Sequence, residues 1–395
     1  MSIISVATAI LMLGVESVTW SAANSVATGD QDVPSIAANR NGHVAVVWED
    51  DRDTTAPADD AHSEIFLRLY RNGTSVYELK LSGGGTSGVA WKHVTPDVGL
   101  DDRGNAVVVW ADDPDGNGYY NVPYRVVSPT GTVLASGRAN ANTDGQQVFP
   151  KVSVDPDGVP GSTSAVAFTV VWEDIQGTNP ATVRAAGYTA AATKAYEVVA
   201  SQTTGDHRRP DVAALPSGEA LVAWGNAGDI GLVRLARANG AVTLSRRLAN
   251  AQTAGQQQRP AVAANYAGDF AVAWESAGVW VRSFAAAGSP RHTDLEVASS
   301  GVAPGIGIDD QGNVALAWSV GGTDPQVWIT GRNPDGTGTG RLGAQVLSQA
   351  TAGRQEQIAV AASPWSEVSV AYTDDNDGNQ FDQIIFGTGV TNSTW

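Results

Sequence analysis

Five times along the 395-residue chain a proline is followed by a glycine eight positions on and a tryptophan fourteen positions on. The copies read Pro34, Gly42, Trp48; Pro96, Gly104, Trp110; Pro210, Gly218, Trp224; Pro260, Gly268, Trp274; and Pro304, Gly312, Trp318. A sixth, Pro150, Gly158 and Trp172, carries an eight-residue insertion, and a worn seventh places Ile358, Ser366 and Tyr372 at the same points. The anchor aromatics stand 44 to 62 residues apart, which suits a four-stranded propeller blade. Seven such units take up nearly the whole chain.

Each unit reads as strands. After the proline comes a short run, then a turn such as Asn39-Arg40-Asn41-Gly42 or Asp101-Asp102-Arg103-Gly104. Asn, Asp and Gly supply the positive φ of tight hairpins. The return run, His43 to Trp48 or Asn105 to Trp110, is apolar on both faces and rich in β-branched residues. Such a strand is covered on both sides, as in a sheet stacked between neighbours. A third strand ends on an arginine in five units (Arg68, Arg125, Arg184, Arg234 and Arg282), and a weaker fourth follows.

Three residues after each anchor stand Ala37, Gly99, Ser153, Ala213, Ala263, Gly307 and Ala361, all small. Small residues are required where inner strands converge on a narrowing channel, and a linear solenoid has no such crowding. After Tyr372 only one more strand fits, Gln383 to Thr388, so the last blade lacks its fourth. The run Val18 to Asn24 leads to Pro34 as Arg246 to Asn250 leads to Pro260, and supplies the missing strand. The expectation is an all-β, seven-bladed β-propeller with four-stranded blades, residues 15–395, its ring closed by an N-terminal strand that completes the last blade. Residues 1–14 form an apolar segment whose run Ile3 to Leu13 reads either as an export-signal core or as an extra strand or buried tail.

The first copy, Trp48-Glu49-Asp50-Asp51-Arg52-Asp53 followed by Glu64 to Arg68, resembles the Trp-x-Asp-x-Arg blades of secreted bacterial sialidase-like propellers. The linker Ala251 to Pro260 is similar to the Gly-[Asp/Gln]-Gln-x-x-Pro linkers of bacterial tandem-repeat surface proteins. The resemblance covers nearly the whole chain and implies a secreted or cell-surface location. The Ser-x-Asp-x-Gly-x-Thr-Trp boxes expected of a sialidase are missing, so no catalytic residue carries over and a non-catalytic relative is implied.

Lys and Arg total 24 against 41 Asp and Glu, a net charge of −17, which disfavours attraction to nucleic acid or anionic lipid. With no cysteine, disulfides, thiolate nucleophiles and Cys-ligated metals are excluded. Beyond residues 1–14 no segment resembles a membrane span. His43, His62, His93, His207 and His292 lack metal-ligand spacing, and no Ser-His-Asp or phosphate-loop motif appears.

Chemistry is expected on the face that carries the loops between strands two and three and the linkers between blades. Asp112, Asp113 and Asp115, and Asp374, Asp375, Asp377 and Asp382, have acids two apart and a turn glycine, as calcium loops do. Neither fits the full twelve-residue loop, and Asp, Asn and Gly also make ordinary soluble turns; both readings stand at this level. The aspartate two residues after the anchor (Asp50, Asp112, Asp174, Asp374) also reads as structural, accepting backbone N–H groups or pairing with the strand-three arginines. Trp91 and His93 in one linker, Tyr119 and Tyr120 after an acidic loop, Gln146 and Gln147 in the next linker, and Asp174 suit a sugar, whose C–H face stacks on rings while its hydroxyls bond acids and amides. The same rings also read as local packing under the loops. Trp365, in a turn on the opposite face, suggests a second contact surface. The expected role is a binding module for a glycan or a protein surface, with calcium as a candidate cofactor. The alternative is a propeller-type glycoside hydrolase or lyase using paired carboxylates such as Asp112 or Asp174.

Overall fold

A computed structural model describes residues 19–52, 62–85, 90–156, 166–189, 191–322, 324–339, 342–348, 353–375, 378 and 381–390. The apolar segment 1–14, Asp53, Asp377 and the insertion after Gly158 lie outside them. The described strands form seven antiparallel sheets of four strands. The innermost strands are Gln31–Ala38, Lys92–Leu100, Gln146–Val154, His207–Ala214, Gln258–Ala264, Val302–Ile308 and Gln355–Ala362. Each packs on the next and the last on the first, which closes the ring. In blade 7 the outermost strand is Thr19–Ala22, paired antiparallel with Gln383–Val390, as the repeat arithmetic requires. The architecture is a seven-bladed β-propeller.

The anchor aromatics explain the stacking. Trp110 packs among Ile65, Leu67 and Leu69 of blade 1, Trp172 among Val107, Val109 and Val122 of blade 2, and Trp48 among Ala371, Ile384 and Phe386 of blade 7. Each ring therefore fills the gap to the preceding blade, and its burial removes a large apolar surface from water. In copies one and two the aspartate two residues on accepts the indole N–H, Trp48 Nε1 to Asp50 at 2.8 Å and Trp110 Nε1 to Asp112 at 3.1 Å. The strand-three arginines choose other partners. Arg68, Arg184 and Arg282 stand 3.6, 3.1 and 3.6 Å from Glu78, Glu197 and Asp294 near or on the outer strands, while Arg184 is only within 4.0 Å of Asp174.

These outer pairs clamp the linker of the preceding blade. Arg68 and Arg282 donate to the carbonyls of Ala23 and Ala249, and Glu78, Glu197 and Asp294 accept the N–H groups of Ser25, Ala141 and Ala251.

Near the axis, the residue before each anchor has a φ of 47–52° in all seven copies, and none is glycine: Val33, Thr95, Phe149, Arg209, Arg259, Ala303 and Gln357. Each marks a bulge where the inner strand shifts register against its neighbour. The left-handed conformation costs a non-glycine residue about 1 kcal/mol and turns its N–H out of the ladder. Glutamates one residue past the anchor take up several of these donors from the next blade: Glu49 from Thr95 at 2.6 Å, Glu173 from Arg209 at 3.0 Å and Glu275 from Ala303 at 3.1 Å.

The residue after the anchor extends a polar chain from blade to blade. Ser35 donates to Asp97 at 2.7 Å, Lys151 pairs with Asp97 at 3.0 Å, Asp97 accepts the N–H of Val152, and Asp211 accepts that of Val262. At the hairpin face, Tyr266 of blade 5 donates across the channel to Asp102 of blade 2 at 2.7 Å. Arg40 of blade 1 lies 3.6 Å over the Tyr266 ring, its Nε 3.0 Å from Asp102. The 240 Å³ channel is thus spanned at that end by a Tyr–Asp–Arg tie, of which Tyr266 and Asp102 help line it.

Two outcomes follow from this frame. Deleting residues 1–24 removes the outer strand of blade 7 and exposes an edge, so the melting temperature should fall by several degrees; an unchanged melt would overturn the closure. Burial pushes the Asp211 carboxyl up to about 6, helped by Asp97 and opposed by Lys151 and backbone N–H groups. Because this folded value exceeds the unfolded one, its contribution is lost as pH rises through about 6. The melting temperature of wild type relative to Asp211→Asn should therefore fall between pH 4.5 and 6.5 and then level, and a flat difference would refute the assignment.

Candidate functional site

Inner strands begin, and linkers and second-to-third-strand loops gather, on one face. The linkers there are fixed by a recurring clasp. Asn24, Asn140 and Asn250 each donate to a glutamine seven residues on, Gln31, Gln147 and Gln257, and to a carbonyl two residues on. Their side-chain oxygens accept the first N–H groups of a neighbouring strand, from Ile384, Val122 and Ile230. Ser82 and Ser201 accept the corresponding bonds from Ile65 and Val183.

This clasp decides where the sequence-predicted residues stand. Gln147 is wholly buried, its amide donating to Asp144 O and Asp174 Oδ1 while its oxygen accepts from Asn140. Asp174 is buried too and accepts from Gln147 and from Gln176 at 2.6 Å. These two hold the linker in place. Gln146 is half-buried and ties the linker to the acidic loop, donating to Gly118 O and accepting from Tyr120 N.

The remaining predicted residues divide between a linker and a loop. Trp91 and His93 lie between blades 1 and 2, where Trp91 is half-buried and packs edge-on against His62 and tilted against His93, each ring centroid 5.0 Å away. His93 is buried, its ring bonded to Asp112 and to Gly83 O. Tyr119 and Tyr120 lie in the loop between the second and third strands of blade 2, beside the linker to blade 3. Tyr119 is 56% exposed and faces a cavity of about 640 Å³ lined also by Asp115, Asn117, Arg138, Asp144 and Gln176. The structure thus brings an exposed ring, two carboxylates, two amides and a guanidinium around one groove.

The carboxylates of the two acidic loops take separate partners. Asp112 accepts from Trp110 and bonds His93, Asp113 accepts the N–H groups of Asn117 and Gly118 at 3.0 and 2.9 Å, and Asp115 accepts from Asn117 Nδ2. They cap a turn. In the second loop, Asp374 accepts from Gln355 at 2.9 Å, the Asp375 N–H donates to Arg354 O, and Asp377 lies outside the described residues. Asp382 belongs elsewhere. It meets Asp30 and Asp32, and among the described residues this is the one acidic trio close enough to share a cation.

The bulges carry residues that sequence reasoning missed. Arg208, Arg209 and Arg259 are exposed at the inner-strand starts of blades 4 and 5, and Arg209 lies 3.5 Å over the Phe149 ring. Partial burial and the neighbouring Arg259 and Arg208 lower the Arg209 guanidinium from its ordinary value, against Glu173. Across the ring, burial raises Asp32 to about 8, with Asp30, Asp382 and Glu49 adding repulsion. Asp382 is raised to about 7 by burial, against the pull of Arg354. The signal that could have found these residues is their place: the two positions before each anchor change from blade to blade while the frame around them stays constant.

On the opposite face Trp365 is 67% exposed, its indole donating to Arg40 O at 3.2 Å beside the tie across the channel.

No protein-family model matches the chain, and no curated protein matches it in sequence. Among solved structures it is similar to a protein of unknown function from Dyadobacter fermentans, at 12% identity and a TM-score of 0.53, over 95% of this chain and 99% of that one. It is similar also to the NanB sialidase of Streptococcus pneumoniae, at 10% identity and a TM-score of 0.51, over 95% of this chain and 70% of that one. At these identities the likeness is one of fold alone, shared by a sialidase and by a protein of unknown function.

Proposed function

We propose that the chain is a secreted or surface-associated binding propeller that recognises a glycan in the groove between blades 2 and 3. The observation that supports this reading is the exposed Tyr119 ring beside Asp115, Asn117, Asp144, Gln176 and Arg138 around about 640 Å³ of open space. An aromatic face takes the C–H side of a sugar, and acids, amides and a guanidinium take its hydroxyls. The linker clasp holds the groove's walls: Gln176 bonds both Asp174 and Asp144 O, and Gln146 pins the loop that carries Tyr119. The recognition surface is therefore preorganised, which lowers the ordering cost of binding. Glycoside hydrolysis by Asp112 or Asp174 draws no support from this geometry, since Trp110 and His93 hold the first carboxylate and Gln147 and Gln176 the second.

A glycan array probed with and without calcium tests the reading. Wild type should bind a restricted set of glycans, and Tyr119→Ala should bind them roughly tenfold more weakly with an unchanged melting temperature. An array without hits, or binding undiminished in both Tyr119→Ala and Gln176→Ala, would overturn it in favour of a protein ligand.

A further inference from the structure

Most acids of the ring have a repeated structural task, but one group stands apart from the repeat. Asp30 and Asp32 lie where the chain enters blade 1, and Asp382 lies at the start of the strand Gln383–Val390 in blade 7. One carboxylate oxygen from each lies within 4.8 Å of the other two. The residue whose carbonyl accepts the inner-strand N–H is Asp382 here, but Tyr120, Ala181, Gly228 and Pro325 elsewhere in the ring. At the place of Asp32, two before the anchor, the other blades carry Val94, Val148, Arg208, Gln258, Val302 and Glu356. The fold does not call for three acids at this point.

A second observation concerns Asp382 itself. Its side chain is 3% exposed, and while Oδ2 takes a bond from Arg354 at 3.1 Å, Oδ1 is shut off from solvent and meets no hydrogen-bond donor. A buried carboxylate oxygen without a donor is costly, and the usual remedies are a proton or a cation. Asp30 is aimed at the same point by accepting the Asp382 N–H at 2.7 Å. Were all three carboxylates ionised, the Arg354 guanidinium would offset only one of their charges, with Glu49 and Glu356 adding to the repulsion, so the cluster needs protons or a cation.

We propose that Asp30, Asp32 and Asp382 form a calcium site that staples the ring where blade 7 meets blade 1. All-oxygen donors select a hard cation. An ion bonding at 2.3–2.6 Å bridges oxygens up to about 5 Å apart, whereas magnesium, at 2.0–2.1 Å, reaches only about 4 Å. Asp30 ends the linker that follows the closing strand Thr19–Ala22, Asp32 lies at the start of the inner strand Gln31–Ala38, and Asp382 immediately precedes the strand with which the closing strand pairs. The ion therefore ties both sides of the closure.

The test uses the metal alone. The full chain is stripped with a chelator, and CaCl2 up to about 10 mM, above the weakest extracellular calcium sites, is titrated in by calorimetry and followed by thermal melting. Wild type should show saturable heat and a melting temperature raised by several degrees, because the ion binds only the folded ring. Asp382→Asn and Asp32→Asn should lose both responses, while Asp113→Asn, in the turn of blade 2, should keep them. Should either variant fail to fold, Asp30→Asn and equilibrium dialysis of calcium against wild type give the same decision. No heat and no shift in wild type, responses undiminished in the trio variants, or loss in Asp113→Asn would each overturn the site. None of these readouts depends on a glycan.

Discussion

Where seven inner strands converge, there is room for backbone and little else. A Cβ on Gly99 would stand 2.7 Å from Val154 Cγ2, and one on Gly307 would stand 2.6 Å from the backbone nitrogen of Ala362. The remaining copies carry Ala or Ser at this point. Side chains therefore contribute little adhesion on the axis, and the blades are joined further out. The anchor aromatics fill the wedge between neighbouring sheets, a volume that widens with distance from the channel, and seven inter-blade clusters replace a single central core. Such an arrangement needs a closed ring, because each blade covers only one face of the next.

Polar bonds follow the same direction, from each blade to the one beside it. The bulge before the anchor releases an N–H from its own ladder, and Glu49, Glu173 and Glu275 receive it across the blade boundary. Asp97 and Asp211 do the same for Val152 and Val262, and the outer acids do so for the linkers. Left-handed backbone in a β-branched residue such as Val33 or Thr95 persists only when its surroundings over-determine it. Here the determinants are the ring-wide register shift and, at these two residues, a bond from the displaced N–H to Gln357 or Glu49.

How much of this was legible in the sequence depends on how far apart in the chain the partners lie. The repeat, the small axial residues and the closing strand were readable because each is set by spacing within one blade, and the structure repeats them. The bulge was not: nothing in the residue types before the anchors, from Val33 to Arg209, marks a positive φ. Carboxylate roles were obscured for a related reason. On paper Gln147 and Asp174 look like any exposed polar pair, yet they bury each other as cross-strand partners on the inner and second strands of blade 3. Asp382 sits beside three other acids in sequence and was grouped with them, whereas its companions in space, Asp30 and Asp32, lie some 350 residues away. Tyr119 reads from the sequence as a ring on the loop face, and only the fold shows that a cavity opens beside it.

The bulges also explain how one frame can present different chemistry. A residue in the left-handed region just before a proline has its backbone fixed from both sides, so its side chain can change without moving the ring. Seven left-handed positions, six of them before a proline and Gln357 before Ile358, stand at the inner-strand starts and hold Val, Thr, Phe, Arg, Arg, Ala and Gln in turn. The neighbouring positions polarise the mouth further, Arg208 on one side and Asp32 and Glu356 on the other. Arg208, Arg209 and Arg259 crowd together here, and burial with the neighbouring Arg259 holds the Arg209 guanidinium below its ordinary value. Their partners, Glu173 and Asp206 for Arg208 and Glu275 for Arg259, hold these charges at fixed points of the blade boundaries, so the mouth changes its chemistry through side chains while the ring keeps its register.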